Sequence, residues 1–435
     1  MIRRSLREWD YLAVAESGGD DVIPRLAADS LVAAARTAGI GGSDGEAILV
    51  NGYHRLRAQQ VVGVLVSPTA TLEILPKIDG LNAGAVRHRL IHMLARVFDL
   101  DVANGPTTDL GWQQDDLLEI LIRLFCDRLF DAVHRGLPRR YVGQEADLSA
   151  LRGRLDVQRQ FTILAVSPQK LACRYDDISA DIPLNQIMRA AVDLLSRIAR
   201  ASRNQRRLAE LSFAFVDVSV VPINKLPWDW VILDRTNIAW ATLLKFARLL
   251  LGRRFQTTST GEEPGVSLLF EMNTLFEEYV GRTLRRALGG SGLDVRLQAP
   301  RDHALAEDNG ARRFATRPDI VVSRNTEHLL IIDTKWKRLT APIDDPQRGV
   351  GQADVYQMMA YSQVYRCDRM MLLYPHHDEI GTDPGILNKY SIRGTPDSRL
   401  IVASVSLSDL ADLDDRLRRL VFNTIDIIPT QPLAV

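Results

Sequence analysis

Three residues of this 435-residue chain have the types and spacing of a hydrolytic centre: Asp319, Asp333 and Lys335. They lie in Arg317-Pro-Asp-Ile-Val-Val-Ser and, after a short turn, His328-Leu-Leu-Ile-Ile-Asp-Thr-Lys-Trp-Lys. Residues two apart on a strand face the same way, so Asp333 and Lys335 project together from a strand otherwise built of Leu329, Leu330, Ile331 and Ile332. Burying both charges there without a purpose is costly. An ion pair on an exposed sheet edge is the plainer reading, but the flanking residues are too apolar for an edge. Asp319 opens the preceding strand, and a hairpin of this length can bring its carboxylate beside Asp333. Two carboxylates and a lysine in one cleft suit Mg²⁺, one or two ions, which takes oxygen ligands and keeps several waters. Such ions polarise a phosphodiester, generate hydroxide and stabilise the leaving oxygen. The lysine can orient or help deprotonate the attacking water, or stabilise charge on the phosphorane, and the spacing does not choose between these roles.

Gln357 and Tyr361 are four apart and share a helix face, with ordinary amphipathic packing as the alternative. For Glu277, in LFEEYV, periodicity alone does not separate a solvated helix glutamate from a metal ligand. His376-His377 and the other histidines have no ligand spacing.

The elements that must position these residues follow from hydrophobic period. Residues 46–76 show short β-rich runs punctuated at Asn51-Gly52 and Ser67-Pro68, a small antiparallel sheet or barrel. From about Asn82 the period turns helical, in AGAVRHRLIHMLARVF and then DDLLEILIRLFCDRLFDAVHRGL. Residues 141–182 read as loop and short strand, and LNQIMRAAVDLLSRIARASRNQRRLAELSF as one or two further helices. The polar face of that segment holds Arg189, Arg197, Arg200, Arg203, Arg206 and Arg207, a solvated face first and a phosphate-contact stripe second. After a break at GEEPG come a helix, LLFEMNTLFEEYVGRTLRRAL, three strands (DVRLQAP, RPDIVV, HLLIIDTKW), a helix, QADVYQMMAYSQVYR, and two strands. The expected architecture is multidomain α+β: a small β-rich N-terminal domain (1–105), a mainly helical middle domain (106–262) and a C-terminal α/β domain (263–435).

Composition narrows the function classes. With 46% hydrophobic and 25% charged residues, and 54 basic against 54 acidic, neither wholesale disorder nor a polybasic tail is expected. Three scattered cysteines, Cys126, Cys173 and Cys367, exclude a disulfide framework or CxxC metal site and fit a reducing cytoplasm. No signal peptide or membrane helix is expected. No GxxxxGK[ST] is present, so the chain is not expected to hydrolyse nucleotides by itself.

Pro318-Asp319 with Asp333-Thr334-Lys335 resembles the PD-(D/E)xK nuclease signature, and the following QxxxY helix resembles its RecB-type branch. The wider chain resembles the McrC family, nuclease subunits of the McrBC modification-dependent (type IV) restriction system. LEILPKI (72–78), RRYVGQEADLSALRGRLD (139–156), CRYDDISADIPLNQIMRAA (173–191), LLFEMNTLFEEYV (268–280) and the catalytic hairpin resemble stretches that recur in that family in the same order. The resemblance implies a restriction-endonuclease-like C-terminal domain that cleaves double-stranded DNA carrying a modified base, methylcytosine in the family. It implies a partner, a hexameric McrB-like AAA+ ring that binds and hydrolyses GTP, with the N-terminal and middle regions docking on that ring. Carried over, Asp319, Asp333 and Glu277 would ligate Mg²⁺, Lys335 would be the catalytic lysine, and Gln357 and Tyr361 would belong to the QxxxY helix. The chain departs from compact members in length, with extra segments around 15–45 and 376–397, which leaves the partner and the recognised base open. Two other readings stand: a regulatory nuclease-fold subunit that mainly stimulates the NTPase, and a stand-alone RecB-type repair nuclease. The latter leaves about the first 260 residues without a role.

Overall fold

The structure is a computed structural model that describes residues 2–16, 22–38, 40, 46–100, 115–167, 169–252, 255–257, 266–339, 347, 349–380, 383–395 and 397–426. It is a mixed α/β chain that divides into two compact units, Met1–Gln113 with Gln256–Val435, and Gln114–Phe255. The expected N-terminal and C-terminal domains therefore fall within one unit, and the segment expected as a middle domain is inserted between them in the chain. Among the described residues no helix is long and apolar enough to cross a membrane.

The first unit is joined by β pairing. Its five-stranded sheet begins with Ile2–Arg7, Ala70–Leu75, Val61–Val66 and Val266–Glu271, in that spatial order. Ile2–Arg7 runs parallel to Ala70–Leu75, and Val61–Val66 pairs antiparallel with both Ala70–Leu75 and Val266–Glu271. The helix expected over 268–288 is thus shorter, Met272–Ala287, because Leu268, Leu269 and Phe270 complete this sheet instead. Gly63 makes the close approach possible. Its φ is +131°, and a Cβ there would lie 2.0 Å from the Leu268 carbonyl oxygen. A smaller four-stranded sheet, Val22–Pro24, Tyr11–Ala15, Arg55–Ala58 and Leu49–Asn51, adjoins it. The helix Arg25–Thr37, not expected from the sequence, buries Ala27, Ala28, Leu31, Val32, Ala34 and Ala35 in a core shared with Leu65, Ile74 and Leu269.

The motif LEILPKI has a structural reason. Glu73 sits on a fully buried strand and meets Arg87 of the helix Ala83–Val97 in a bidentate ion pair, Nε to Oε1 at 2.7 Å and Nη2 to Oε2 at 2.6 Å. The second sheet of this unit has six strands, ordered Asp294–Leu297, Ile320–Arg324, Glu327–Thr334, Arg369–Pro375, Arg399–Val405 and Gly385–Ser391. The antiparallel hairpin expected around the turn at 325–326 is present. Its second strand runs parallel to Arg369–Pro375, the two being connected through the helix Gln352–Tyr365.

The inserted unit is less purely helical than its sequence suggests. Helices Leu117–His134, Pro183–Ile198, Ser202–Ala214 and Ala241–Leu251 accompany a three-stranded sheet. In that sheet Arg140–Leu148 and Leu171–Ser179 pair over nine residues each, where only short strands were expected. The segment ADIPLNQI is a staple: Asn185 Nδ2, fully buried, donates to the carbonyls of Pro138 and Ala180, and Asp181 accepts from Gln186 and Ser219. Part of the arginine stripe is also structural. Arg189 donates to the Phe215 carbonyl, and Arg207 lies 3.6 Å from the Phe130 ring centroid.

Removing one partner of a buried ion pair leaves the other charge stranded. Arg87→Met should destabilise the chain by about 3–5 kcal/mol, and Glu73→Leu in the same chain should recover much of that loss. Urea unfolding midpoints of the two variants check this, and an Arg87→Met midpoint equal to that of the parent chain would sink the argument.

Candidate active site

The hairpin places its acids where the sheet ends. Asp319 stands immediately before the strand Ile320–Arg324, and its Oδ2 accepts from the Thr334 amide (2.8 Å) and hydroxyl (3.0 Å) across the hairpin. Ile320 is paired with Ile332 and Val321 with Ile331, a register that carries Asp319 alongside Asp333. Asp333 is only 1% exposed, and Leu330, Ile331 and Ile332 beside it are buried as well. Lys335 continues the ladder by donating its amide to the Leu373 carbonyl. Its Nζ lies 2.7 Å from Asp333 Oδ2 and donates to Gln357 Oε1 at 3.2 Å.

The helix after the hairpin completes the arrangement. Gln357 Nε2 donates to Tyr361 Oη (2.8 Å), and the Tyr361 hydroxyl donates to the Arg317 carbonyl (3.1 Å), so this helix grips the chain just ahead of Asp319. Glu277 joins from the other side on Met272–Ala287. Its Oε1 accepts from Gln298 Nε2 at 2.7 Å, while the Gln298 amide donates to the Asp319 carbonyl. Asp319, Asp333, Lys335, Gln357 and Tyr361 therefore form a connected set, and Glu277 reaches it through Gln298.

Several participants were not singled out from sequence. Asp354 lies 3.6 Å from Lys335 Nζ through Oδ1 and pairs closely with Lys337. The signal was present, because positions 354, 357 and 361 fall on one helical face. Thr334 and Gln298 carry no such signal, since each acts through a contact set only by the fold. Glu8 is another: its Oε1 accepts from Trp336 Nε1 (2.6 Å) and from the Lys77 amide (2.9 Å). Gln60 and Asn273 exchange two amide hydrogen bonds, and Gln60 also donates to the Trp336 carbonyl at 2.7 Å.

Burial and crowding set the protonation of the site. Burial, and then the neighbouring Glu277, push Asp319 up to about 6, against the Thr334 hydrogen bonds. Burial, and then Asp319, push Asp333 up to about 6, against Lys335. Burial raises Glu277 too, with Gln298 opposing. Burial works against the Lys335 charge, but Asp333, Asp354 and Asp319 outweigh it and raise its pKa. Tyr361 is raised by burial.

These donors fit a hard divalent cation in kind. Asp333 Oδ2 is buried without a well-aligned hydrogen bond despite the nearby ammonium, and the carboxylates hold one another's pKa up, a repulsion that a cation relieves. Among the described residues, no three His, Cys, Asp or Glu side chains are gathered tightly enough to enclose a metal ion as they stand. The fit is therefore to a cation that takes part of its shell from water, as Mg²⁺ does.

The family model described as "McrBC 5-methylcytosine restriction system component" matches residues 56–375, most of the chain. The chain belongs to this McrBC family. Among solved structures it is similar to a chain of the refined half-complex from the tetradecameric assembly of Thermococcus gammatolerans McrB AAA+ hexamers with bound McrC. That likeness has a TM-score of 0.73 at 19% identity and covers 97% of this chain and 99% of the other. A chain of the T. gammatolerans McrBC complex solved by cryo-electron microscopy is also similar, with TM-score 0.53 and 22% identity over 66% of this chain and 88% of that one. Among curated proteins none matches. At these identities the structural likeness speaks for the fold of this McrBC chain.

Glu8 gives a pH test of the packing around Trp336. Burial pushes its carboxyl from the ordinary 4.5 up to about 7, against the hydrogen bonds from Lys77 and Trp336, so it takes up a proton on folding. Its contribution is fully present below the unfolded value and is lost as pH rises through the folded one, a change of about 3 kcal/mol. Glu8→Gln keeps an acceptor for Trp336 and should flatten that loss. Thermal unfolding of both chains at several pH values between the two pKa values reads it; parallel profiles would refute it.

Proposed function

We propose that this McrBC chain is the DNA-cutting subunit of its restriction system, a Mg²⁺-dependent endonuclease of the PD-(D/E)xK class. The reading holds that it cleaves double-stranded DNA carrying a modified base, methylcytosine by the family description, when assembled with a GTP-hydrolysing McrB-like AAA+ hexamer. One observation carries it: Asp319, Asp333 and Lys335 are drawn together at a sheet end with Gln357 and Tyr361 tied into the same network. The partner rests on the family match and on the fold likeness to a chain from an assembly whose description names McrB hexamers with bound McrC.

Asp319, Asp333 and Glu277 would hold one or two Mg²⁺ ions, which supply Lewis-acid activation of the phosphodiester and of water. The chain's own residues set the stage. Thr334 fixes one oxygen of Asp319, and Gln298 fixes one oxygen of Glu277. The surrounding carboxylates favour protonated Lys335, so at neutral pH it acts through its positive charge and as a proton donor rather than as a general base. Gln357 and Asp354 aim its ammonium, which suits it to orient the attacking water or to meet charge developing on the phosphate oxygens. Tyr361 steadies Gln357 and the chain entering Asp319.

The experiment is cleavage of methylated and unmethylated plasmid with Mg²⁺ and GTP, with and without the AAA+ partner. Parent chain, Asp333→Ala and Lys335→Gln are compared. Both variants should lose cutting by about two orders of magnitude or more while still stimulating GTP hydrolysis. An Asp333→Ala chain that still cuts would refute the site. Cutting by the parent chain alone would instead make it an independent nuclease, and GTPase stimulation without cutting would make it regulatory.

A further inference from the structure

Beside Lys335 lies a cavity of about 520 Å³ that the chemistry described so far leaves unused. Its cationic lining is Lys77, Lys335, Lys337 and Arg338, the last paired with Asp79, and Trp9 and Gln60 form part of its wall. Two acids face it. Asp354 is engaged with Lys335 and Lys337, and Glu8 is turned toward the Trp336 indole and the Lys77 amide. Among the described residues the Lys77 ammonium has one loose ion pair, 3.5 Å to Asp10.

Trp9 is also the first member of a ladder on the small four-stranded sheet. The strand Tyr11–Ala15 buries Leu12 and Val14 and turns Tyr11, 50% exposed, outward. Tyr11 pairs with Arg57 across the sheet. The Arg57 guanidinium lies 5.3 Å from both the Trp9 and Tyr11 ring centroids, and Arg55 lies 4.7 Å from Tyr11. Arg57 Nε is shielded from solvent and has no hydrogen-bond partner among the described residues. Trp9 itself is 38% exposed, with a left-handed backbone (φ 66°) that holds the indole at the junction of cavity and ladder. Alternating aromatic and guanidinium groups next to a lysine-lined cavity match what nucleic-acid strands require: flat surfaces for bases and fixed cations for phosphates.

We propose that this tract seats the DNA strand flanking the scissile phosphate. A neighbouring backbone phosphate lies on Lys77 and Lys337 in the cavity, a base stacks on Trp9, and the strand continues along Arg57, Tyr11 and Arg55. The inference rests on the nuclease reading above and adds to it a binding track made of N-terminal residues.

The test is binding of a fluorescein-labelled DNA duplex by the full chain, followed by anisotropy across a salt titration without nucleotide. Arg57→Gln with Lys77→Gln should weaken binding and lower the slope of log affinity against log salt by about two, one for each phosphate contact removed. Trp9→Ala should weaken binding by about tenfold, while Trp9→Phe, which keeps a stacking face, should retain most of it. Asp333→Asn should fail to cut. Circular dichroism verifies folding, and if Trp9→Ala does not fold, Arg55→Gln on the outer sheet face replaces it with the same expected loss. No saturable binding by the parent chain at low salt, or parent-like affinity and slope in the Arg57/Lys77 double variant, overturns the proposal. An Asp333→Asn chain that still cuts overturns the nuclease reading itself. An inactive Asp333→Asn beside binding-track variants that bind and cut as the parent does removes this inference alone.

Discussion

The pairing of Val61–Val66 with Val266–Glu271 is the constraint on which the site depends. Main-chain hydrogen bonds between segments two hundred residues apart turn the two ends of the sequence into one sheet. The helix that carries Glu277 begins at Met272, directly after the last paired residue, and Met272 donates its amide to the Gln60 carbonyl. Its position is thus inherited from an N-terminal strand. Gly63 permits the spacing, and the Gln60–Asn273 amide pair and the Trp336–Glu8 bond lock the same region from its polar side.

The residues of the candidate site form a charge balance in which each group is set against its neighbours. Each carboxyl is held by one hydrogen-bonded oxygen or by the lysine, and the buried acids repel one another. Such a cluster is strained electrostatically until positive charge enters, and Lys335 supplies only part of what is needed. Gln357 accepts a hydrogen bond from the ammonium, and Asp354, 3.6 Å away, attracts it by charge.

What could be read from sequence was what depends on near neighbours. The apolar run Leu329–Ile332 interrupted by Asp333 and Lys335 has the period of a strand, and Gln357 and Tyr361 have the spacing of a helix, so both emerged as anticipated. The strand Val266–Glu271 was hidden because its short apolar run flows without a break into a helical period, and only its distant partner decides its state. Five of the thirteen residues of Arg25–Thr37 are alanine, whose apolar signal is weak. The hairpin Asp302–Ala306 and Arg312–Thr316 is mostly exposed, so it lacks the alternation that announces a strand. Glu8, Gln60 and Gln298 acquire their roles only from tertiary contacts, and no spacing rule reaches them.

The insertion of Gln114–Phe255 between the halves of the other unit has a consequence in time. During synthesis Val61–Val66 emerges long before Val266–Glu271, and at ribosomal rates of about 5–20 residues per second the strand waits roughly 10–40 seconds for its partner. Throughout that interval an apolar strand in which all six residues are buried in the finished fold has one edge uncovered. Assembly of the candidate site is therefore a late event in the life of the nascent chain, and a chain broken off before residue 266 carries neither the completed sheet nor Glu277, Asp319 and Asp333.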